Sequence, residues 1–172
     1  MSTKVNNYFQ TLLELPKPFT ETQCILFKEE LLICGGKQTN DCYSYHTLKK
    51  EYKHICSYPN DVEFNGHCVV QLNYLQSIPM KFIYENIMKQ TFSMKYKSVW
   101  EIDDSKSENQ SFNTWIQHSQ DTNIGKFKDC LIGVRGLIGG INDDLLFITY
   151  FPGYIEVIDL KTMKSLNGIK IT

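Results

Sequence analysis

The chain has 172 residues, which suits one domain with a buried core, and its 18 Lys and Arg nearly balance its 19 Asp and Glu. This balance excludes the basic stripe typical of a nucleic-acid-binding protein, and the single arginine, Arg135, argues against a phosphate-reading site. No apolar stretch reaches the length of a membrane span, and the first residues lack an apolar signal core. We therefore expect a cytoplasmic protein without membrane contact, whose six cysteines stay reduced.

The N-terminal region precedes any regular pattern. Residues 1–8 are polar and are expected to form a flexible tail, with the domain covering residues 9–172. Residues 8–15 fit a helical turn or a strand, which Pro16 and Pro18 then end. The chain contains no alanine, the strongest helix former, but ten Tyr and ten Phe, so its composition favours an all-β fold.

Four short strands joined by turns are predicted in the first third of the chain. The second of them ends in the pair Gly35 and Gly36, and a polar turn follows at residues 37–41. Glycine permits a positive φ and the close approach of another backbone segment, so this pair is typical of the end of an inner strand. The predicted strands are residues 23–27, 30–36, 42–48 and 52–58. They form an antiparallel meander, which needs neighbouring sheets to bury both of its faces.

Two weaker rounds of the same pattern follow. Residues 91–100 alternate between polar and apolar side chains, so one face of this strand should pack on the next sheet. Residues 76–90 fit either a strand or a helix and lack a glycine pair. We assign Gly139 and Gly140 to the first turn of the third round, which leaves a hairpin at residues 152–153. The other predicted strands are residues 67–72, 113–118, 134–138, 145–151 and 154–160, with a fourth strand of the third round incomplete at residue 172.

Residues 31–36, Leu-Leu-Ile-Cys-Gly-Gly, are followed by Asp41, by Tyr43 or Tyr45, and by a further aromatic residue, Tyr52. This motif resembles the kelch repeat, a four-stranded β-propeller blade in which a glycine pair ends the second strand. The match is closest to a divergent protist kelch-motif family, and residues 23–24, 41–47, 66–70, 94–100 and 133–142 also carry it. The structural motif residues are Gly35, Gly36, Tyr45, Tyr52, Trp100 and Arg135.

The resemblance implies an all-β, kelch-like β-propeller that is partial, either open or truncated, with about three four-stranded antiparallel blades. Blade 1 covers residues 23–58, blade 2 residues 67–118, and the incomplete blade 3 residues 134–172. Closed propellers typically have about 4–8 blades, so a fragment, an assembly with another copy or a partial closure is expected, with self-association through open blade edges. Residues 155–162 also resemble the end of a WD40 repeat, so a WD40-type propeller is the alternative.

The glycine pair and the first cysteines do not match known ligand motifs. The sequence Gly-Gly-Lys37 lacks the spacing of a phosphate-binding P-loop, and no helix follows it. Cys42 and His46 share one strand face, but a metal site would also need His54 or Cys56, and the spacing differs from that of zinc fingers. We expect buried thiols, a hydrogen-bonded imidazole, and neither metal nor cofactor.

Candidate catalytic pairs are also better explained structurally. His67 and Cys68 are neighbours on a strand and point to opposite faces, so His67 is expected to hydrogen-bond within or between blades. The acidic pairs at residues 103–104 and 143–144 fall in turns, where solvated charge is usual. Arg135 is expected to hold a carboxylate between blades, with anion binding as the alternative. The prediction is a protein that is not an enzyme.

The strongest functional prediction comes from blade geometry. In a four-stranded antiparallel blade, the loops after strands two and four emerge on one side, and here they are residues 37–41, 58–65, 119–132 and 151–154. Because binding surfaces are often built from loops on a rigid scaffold, we hypothesise a non-catalytic module that presents these loops to a protein partner. The alternatives are a small-ligand-binding or enzymatic propeller with an axial pocket, and a truncated remnant with little independent function. The predicted partner-binding residues are Lys37, Gln38, Asn40, Asp41, Tyr58, Asn60, Asp61 and Tyr154.

Overall fold

The computed structural model describes residues 11–60, 66–72, 77–78, 90–101, 111–118, 130–151, 153–162 and 164–166. Across these residues the protein is all-β without a helix, as its composition and alternation predict, and its strands form three antiparallel sheets. The tail predicted at residues 1–8 lies outside the described residues. No helix in the described part of the chain is long and apolar enough to cross a membrane.

Sheet 1 is the predicted four-stranded meander, with the strand order β1-β2-β3-β4. Its strands are β1 (Gln23–Phe27), β2 (Glu30–Gly36), β3 (Thr39–His46) and β4 (Glu51–Ser57). The first two strands have the predicted bounds, whereas β3 begins at Thr39 instead of Cys42. The reason is a tight turn: Gly36 pairs directly with Thr39, and Gln38 between them adopts a φ of 68°.

The middle sheet has three antiparallel strands, which are shorter than predicted. They are β5 (Ser77–Ile78), β6 (Phe92–Lys95) and β7 (Ile116–Gln117), in the order β5-β6-β7. Beyond β6 the Asn113 side chain replaces a strand partner, because its amide bonds both the N–H and the carbonyl of Lys97 at 2.9 Å. The predicted strand at residues 91–100 therefore ends early. Most of residues 76–90, where a helix and a strand both fit the sequence, lies outside the described residues.

The third sheet is four-stranded, with the order β11-β10-β9-β8. Its strands are β8 (Cys130–Gly139), β9 (Leu145–Phe151), β10 (Tyr154–Asp159) and β11 (Lys164–Ser165). The assignment of Gly139 and Gly140 to the first turn is confirmed, since Gly139 ends β8 and Gly140 turns the chain with a φ of 92°. The predicted β9–β10 hairpin is also confirmed, and the N–H of Gly153 donates to the carbonyl of Tyr150 at 3.0 Å.

The first of two apolar cores lies between sheet 1 and the middle sheet. Phe92, Met94 and Tyr96, the apolar face predicted from alternation, are each buried in it. Their partners from sheet 1 include Leu32 and Cys34 on β2. The alternation in residues 91–100 therefore identified the inward face correctly, because successive side chains of an extended chain point to opposite sides.

Residues 66–72 connect the first core to the second. Residues 67–72 are predicted as a strand, yet among them only Leu72 forms a β-bridge, and His67, Cys68 and Val70 are buried. Val69 packs against the first core, whereas Cys68 and Val70 belong to the second core with residues of the third sheet. The imidazole of His67 lies 2.9 Å from the Cys34 carbonyl of sheet 1. The predicted opposite orientation of His67 and Cys68, and a hydrogen bond from His67 to a neighbouring sheet, are thus confirmed.

Candidate functional site

Two predicted loops of sheet 1 meet at one end of that sheet. The N–H of Tyr58, just after β4, donates to the carbonyl of Asn40 at 2.8 Å, and the Asn40 side-chain amide donates to the carbonyl of Pro59 at 3.2 Å. Lys37, Gln38 and Asn60 are exposed, and Asn40 and Asp41 are half-buried. We call this surface the loop face, and it consists of Lys37, Gln38, Asn40, Asp41 and Asn60.

Asp41 is the polar centre of the loop face. Its carboxylate accepts hydrogen bonds from the Lys17 ammonium and, at 2.7 Å, from the Ser57 hydroxyl. These bonds hold the pKa of Asp41 below its ordinary value, and the same pairing raises the pKa of Lys17. The register explains the contact with Ser57, because Asp41 and Ser57 are directly paired residues of β3 and β4. Asp41 therefore joins three chain segments at the loop face.

Ser57, His54 and Asp41 have the composition of a Ser–His–Asp triad but a different arrangement. The Ser57 hydroxyl donates to Asp41, and Nε2 of His54 lies 3.4 Å from the Ser57 oxygen and 3.5 Å from an Asp41 oxygen. In a triad the aspartate bonds the opposite ring nitrogen, Nδ1, so that Nε2 can accept the serine proton. Here the serine proton is directed at the carboxylate, so the geometry orders a polar surface and does not activate a nucleophile.

The N-terminal segment contacts this end of sheet 1 at Thr20, and the glycine pair explains how it approaches. Gly35 has a φ of 55°, and a Cβ on Gly36 would lie 2.6 Å from the Thr20 carbonyl oxygen. That carbonyl accepts the N–H of Lys37 at 2.8 Å. The structural interpretation of the pair, positive φ and close backbone approach, is confirmed. The segment is also held at Leu13, whose carbonyl accepts the Tyr52 hydroxyl at 3.2 Å.

Not every predicted partner-binding residue lies on the loop face. Tyr58 is predicted to face a partner, but the structure corrects this: its ring is 1% exposed and stacks on Trp115 at 4.1 Å. The backbone N–H of Tyr58 makes the contact between the two loops, while its aromatic ring packs in the first core. Tyr154 lies in the third sheet and not at the loop face. It is exposed at the β9–β10 hairpin, where its ring packs on that of Tyr150. Asp61 and most of the loop at residues 119–132 lie outside the described residues.

The remaining structural motif residues take distinct positions. Tyr45 is buried and packs on its strand partner Tyr52, with ring centroids 4.8 Å apart. Trp100 donates from its indole N–H to the Ser44 hydroxyl at 2.8 Å. Arg135 has an exposed side chain that donates to the carbonyl of Val134 at 2.8 Å, and no carboxylate among the described residues pairs with it.

A buried polar network that the sequence did not reveal joins sheet 1 to the middle sheet. Glu30 is 4% exposed, and its carboxylate accepts the Ser44 hydroxyl at 2.6 Å and the Tyr96 hydroxyl. Burial raises the pKa of Tyr96, and the hydrogen bond to Glu30 raises it further. In the sequence, Glu30 begins the predicted strand 30–36 directly after the charged residues Lys28 and Glu29, and nothing local indicates that its carboxylate is buried. Only the pairing of two distant segments gives the carboxylate its donors.

The candidate metal ligands Cys42 and His46 separate in space. Cys42 is buried in the first core, whereas Nδ1 of His46 accepts the N–H groups of Leu48 and Lys49. The part of the chain that the structure describes contains no group of three or more His, Cys, Asp or Glu arranged to hold a metal ion. The five cysteines with described side chains are free thiols. Asp143, with a φ of 54°, and Asp144 are exposed in a turn as predicted, and the pair at 103–104 lies outside the described residues.

No protein-family model and no curated protein matches the chain. The kelch assignment therefore stays a prediction that rests on the motif at residues 31–52.

Proposed function

We propose that this protein is a non-catalytic interaction module of kelch type, which presents the loop face to a protein partner. The observation that carries the proposal is the junction of the two loops. Hydrogen bonds from Tyr58 N–H and from the Asn40 amide make one surface of segments that are distant in sequence. That surface offers an exposed ammonium at Lys37 and exposed amides at Gln38 and Asn60. A partner would meet it with carboxylates and backbone carbonyls.

The loop face is well ordered for binding. The carboxylate of Asp41 accepts hydrogen bonds from Lys17 and Ser57, and the N–H of Lys37 donates to the carbonyl of Thr20. Loops that are restrained before binding lose less conformational entropy when a partner docks. These restraints favour the interpretation that the loop face is a recognition surface on a rigid sheet and not merely a flexible connection between strands.

The arrangement of the sheets supports a propeller-type scaffold for this surface. Sheet 1 and the third sheet each contain four sequential antiparallel strands, in chain order across the sheet. Sheet 1 and the middle sheet bury apolar faces against one another in the first core, and the third sheet packs against residues 68–72 in the second core. This is how consecutive blades of a kelch-like array would pack.

A paired substitution tests the proposal. Lys37→Ala with Gln38→Gly removes the loop-face side chains while retaining the positive φ that residue 38 requires. The matched control is Lys49→Ala with Lys50→Gly in the β3–β4 turn, where Lys50 has a φ of 56°. These residues lie at the opposite end of sheet 1. Quantitative affinity capture should lose its specific partners with the loop-face variant and keep them with the control.

Two outcomes would refute the proposed function. One is capture of the same partners at the same level by the wild type and by the loop-face variant. The other is an equal loss in both paired variants, which would show that any change in a turn of sheet 1 matters. Circular dichroism of each variant establishes that its fold is intact before capture is compared.

A further inference from the structure

Three cysteines lie side by side across sheet 1. The strand register pairs Cys34 of β2 with Cys42 of β3, and Cys42 with Cys56 of β4. Directly paired residues of antiparallel strands have Cα atoms roughly 4.5–5.5 Å apart. A disulfide closes across Cα separations of roughly 4.4–6.8 Å. Cys42 is therefore within disulfide reach of a thiol on each side, without any change of fold.

The sulfur atoms interact with one another. The thiols of Cys34 and Cys56 each hydrogen-bond with Cys42, and the Cys56 sulfur lies 3.6 Å from the Met94 sulfur. Burial opposes ionisation of Cys42, but hydrogen bonds from Cys34, Cys56, Trp115 and the Gly35 backbone together lower the pKa of Cys42. The hydrogen bonds with Cys42, together with burial, raise the pKa of Cys34 and of Cys56. The central sulfur is thus the most readily ionised of the three.

The three thiols differ in their access to solvent. Cys34 and Cys42 are fully buried, whereas Cys56 is partly exposed at the margin of the first core. A small reagent from solvent therefore meets Cys56 first. Cys24 supplies an internal comparison: it lies on β1 of the same sheet, is exposed, and pairs with Ile33, so no thiol stands opposite it.

We propose that Cys34, Cys42 and Cys56 form a modification site for two-electron oxidants of the hydroperoxide class, whose product is a cross-strand disulfide that includes Cys42. With hydrogen peroxide, Cys56 passes its proton to the hydrogen-bonded Cys42 sulfur and attacks the O–O bond as a thiolate; an S–O bond forms, the O–O bond breaks, and one water leaves. The Cys42 sulfur then attacks the sulfenic sulfur, so that the S–S bond forms, the S–O bond breaks and a second water leaves. Two thiols lose two electrons and two protons, and one peroxide becomes two waters.

The third thiol allows the disulfide to move inward. The Cys34 sulfur attacks Cys42, the Cys34–Cys42 bond forms, and the Cys56 thiol is released without net oxidation. The disulfide then lies in the fully buried pair of β2 and β3.

Oxidation of the full chain by equimolar hydrogen peroxide, followed by non-reducing peptide mapping, tests the site. The wild type should lose two of its six thiols and yield a disulfide-linked peptide pair that contains Cys42. Cys24→Ser should behave as the wild type. Cys42→Ser should form no such pair, and its Cys56 should stop at a sulfenic acid that dimedone traps.

A second probe does not depend on oxidation. Phenylarsine oxide bridges two adjacent thiols, so the wild type and Cys24→Ser should each bind one equivalent, and Cys42→Ser should bind less than a tenth as much. Retention of all six thiols after peroxide would overturn the proposal, as would a disulfide without Cys42 or arsenical binding that survives Cys42→Ser. If Cys42→Ser does not fold, the wild-type peptide map alone decides, since it must contain a Cys42 disulfide.

Discussion

The hydroxyl of Tyr96 donates a hydrogen bond to the carboxylate of Glu30, which lies 66 positions earlier in the chain. Both side chains are buried, and the bond joins Tyr96, the residue directly after β6, to Glu30, the first residue of β2. Ser44 adds a second donor to the same carboxylate, and the Trp100 indole donates to Ser44. A buried polar group needs its partners in one geometry, so this network specifies how the two sheets are placed.

Tyr96→Phe should destabilise the protein by about 1–3 kcal/mol, because it leaves the buried Glu30 carboxylate with one donor fewer. The measurement is the free energy of unfolding in urea at neutral pH. The control is Tyr43→Phe, which keeps the ring contacts with Phe19 and His54 and should cost less than about 0.5 kcal/mol. Equal losses in the two variants would show that the Tyr96 hydroxyl contributes nothing specific.

Asp41→Asn should lower the melting temperature at neutral pH but not in acid. The folded-state pKa of Asp41 lies below the ordinary 3.8, so its carboxylate stabilises the fold above that value and loses the contribution as the pH falls through the folded pKa. The melting curves of wild type and variant should therefore converge once the pH has fallen below the folded-state pKa of Asp41. Glu51→Gln, an exposed change at the other end of sheet 1, should show no such convergence. A constant difference for Asp41→Asn at every pH would contradict the pairing with Lys17 and Ser57.

Gly36→Ala and Gly139→Ala should differ in their effects although both glycines end a strand. The new Cβ at residue 36 would meet the Thr20 backbone oxygen at 2.6 Å, which cannot yield without moving the chain. At residue 139 the nearest atom is a Phe147 ring carbon at 3.1 Å, and a ring can tilt away. Gly36→Ala should therefore lower the free energy of unfolding by about 1–3 kcal/mol, and Gly139→Ala by less than about 1 kcal/mol. Hydrogen exchange at the Lys37 amide should accelerate only in Gly36→Ala, and unchanged exchange there would exclude the backbone collision.

Tyr58→Ala and Tyr154→Ala should differ in stability, because one residue lies in the core and the other at the surface. Both residues are predicted from the sequence to face a partner, but Tyr58 stacks on Trp115 in the core and Tyr154 is 39% exposed. Removing a buried aromatic ring should cost about 3–5 kcal/mol, whereas the exposed change should stay within about 0.5 kcal/mol. Thermal and urea unfolding measure both. A Tyr58→Ala variant as stable as Tyr154→Ala would show that the stacked position is not maintained in solution.

The difference between Tyr58 and its neighbours shows where sequence reasoning stops. Lys37, Gln38 and Asn60 are polar turn residues, and polar turn residues usually lie at the surface, as these do. Tyr58 has a polar tip and an apolar ring, so local sequence allows it either environment. Its place was decided by Trp115, which comes from a distant segment and offers a ring to stack on.

The bounds of three strands and the position of one turn followed from the chain itself. Alternation and φ preferences are properties of residues that are adjacent in sequence. They determine the bounds of β1, β2 and β9, the turn at Gly140 and the inward face of residues 91–100. The proposed loop face and thiol site depend instead on register. That register shifts at irregularities near Gly36 and Cys42, which no local pattern marks. Tertiary structure alone therefore brought Lys17 to Asp41, Tyr96 to Glu30, and Cys34 and Cys56 to either side of Cys42, because each contact joins segments whose separation in sequence carries no information about their distance in space.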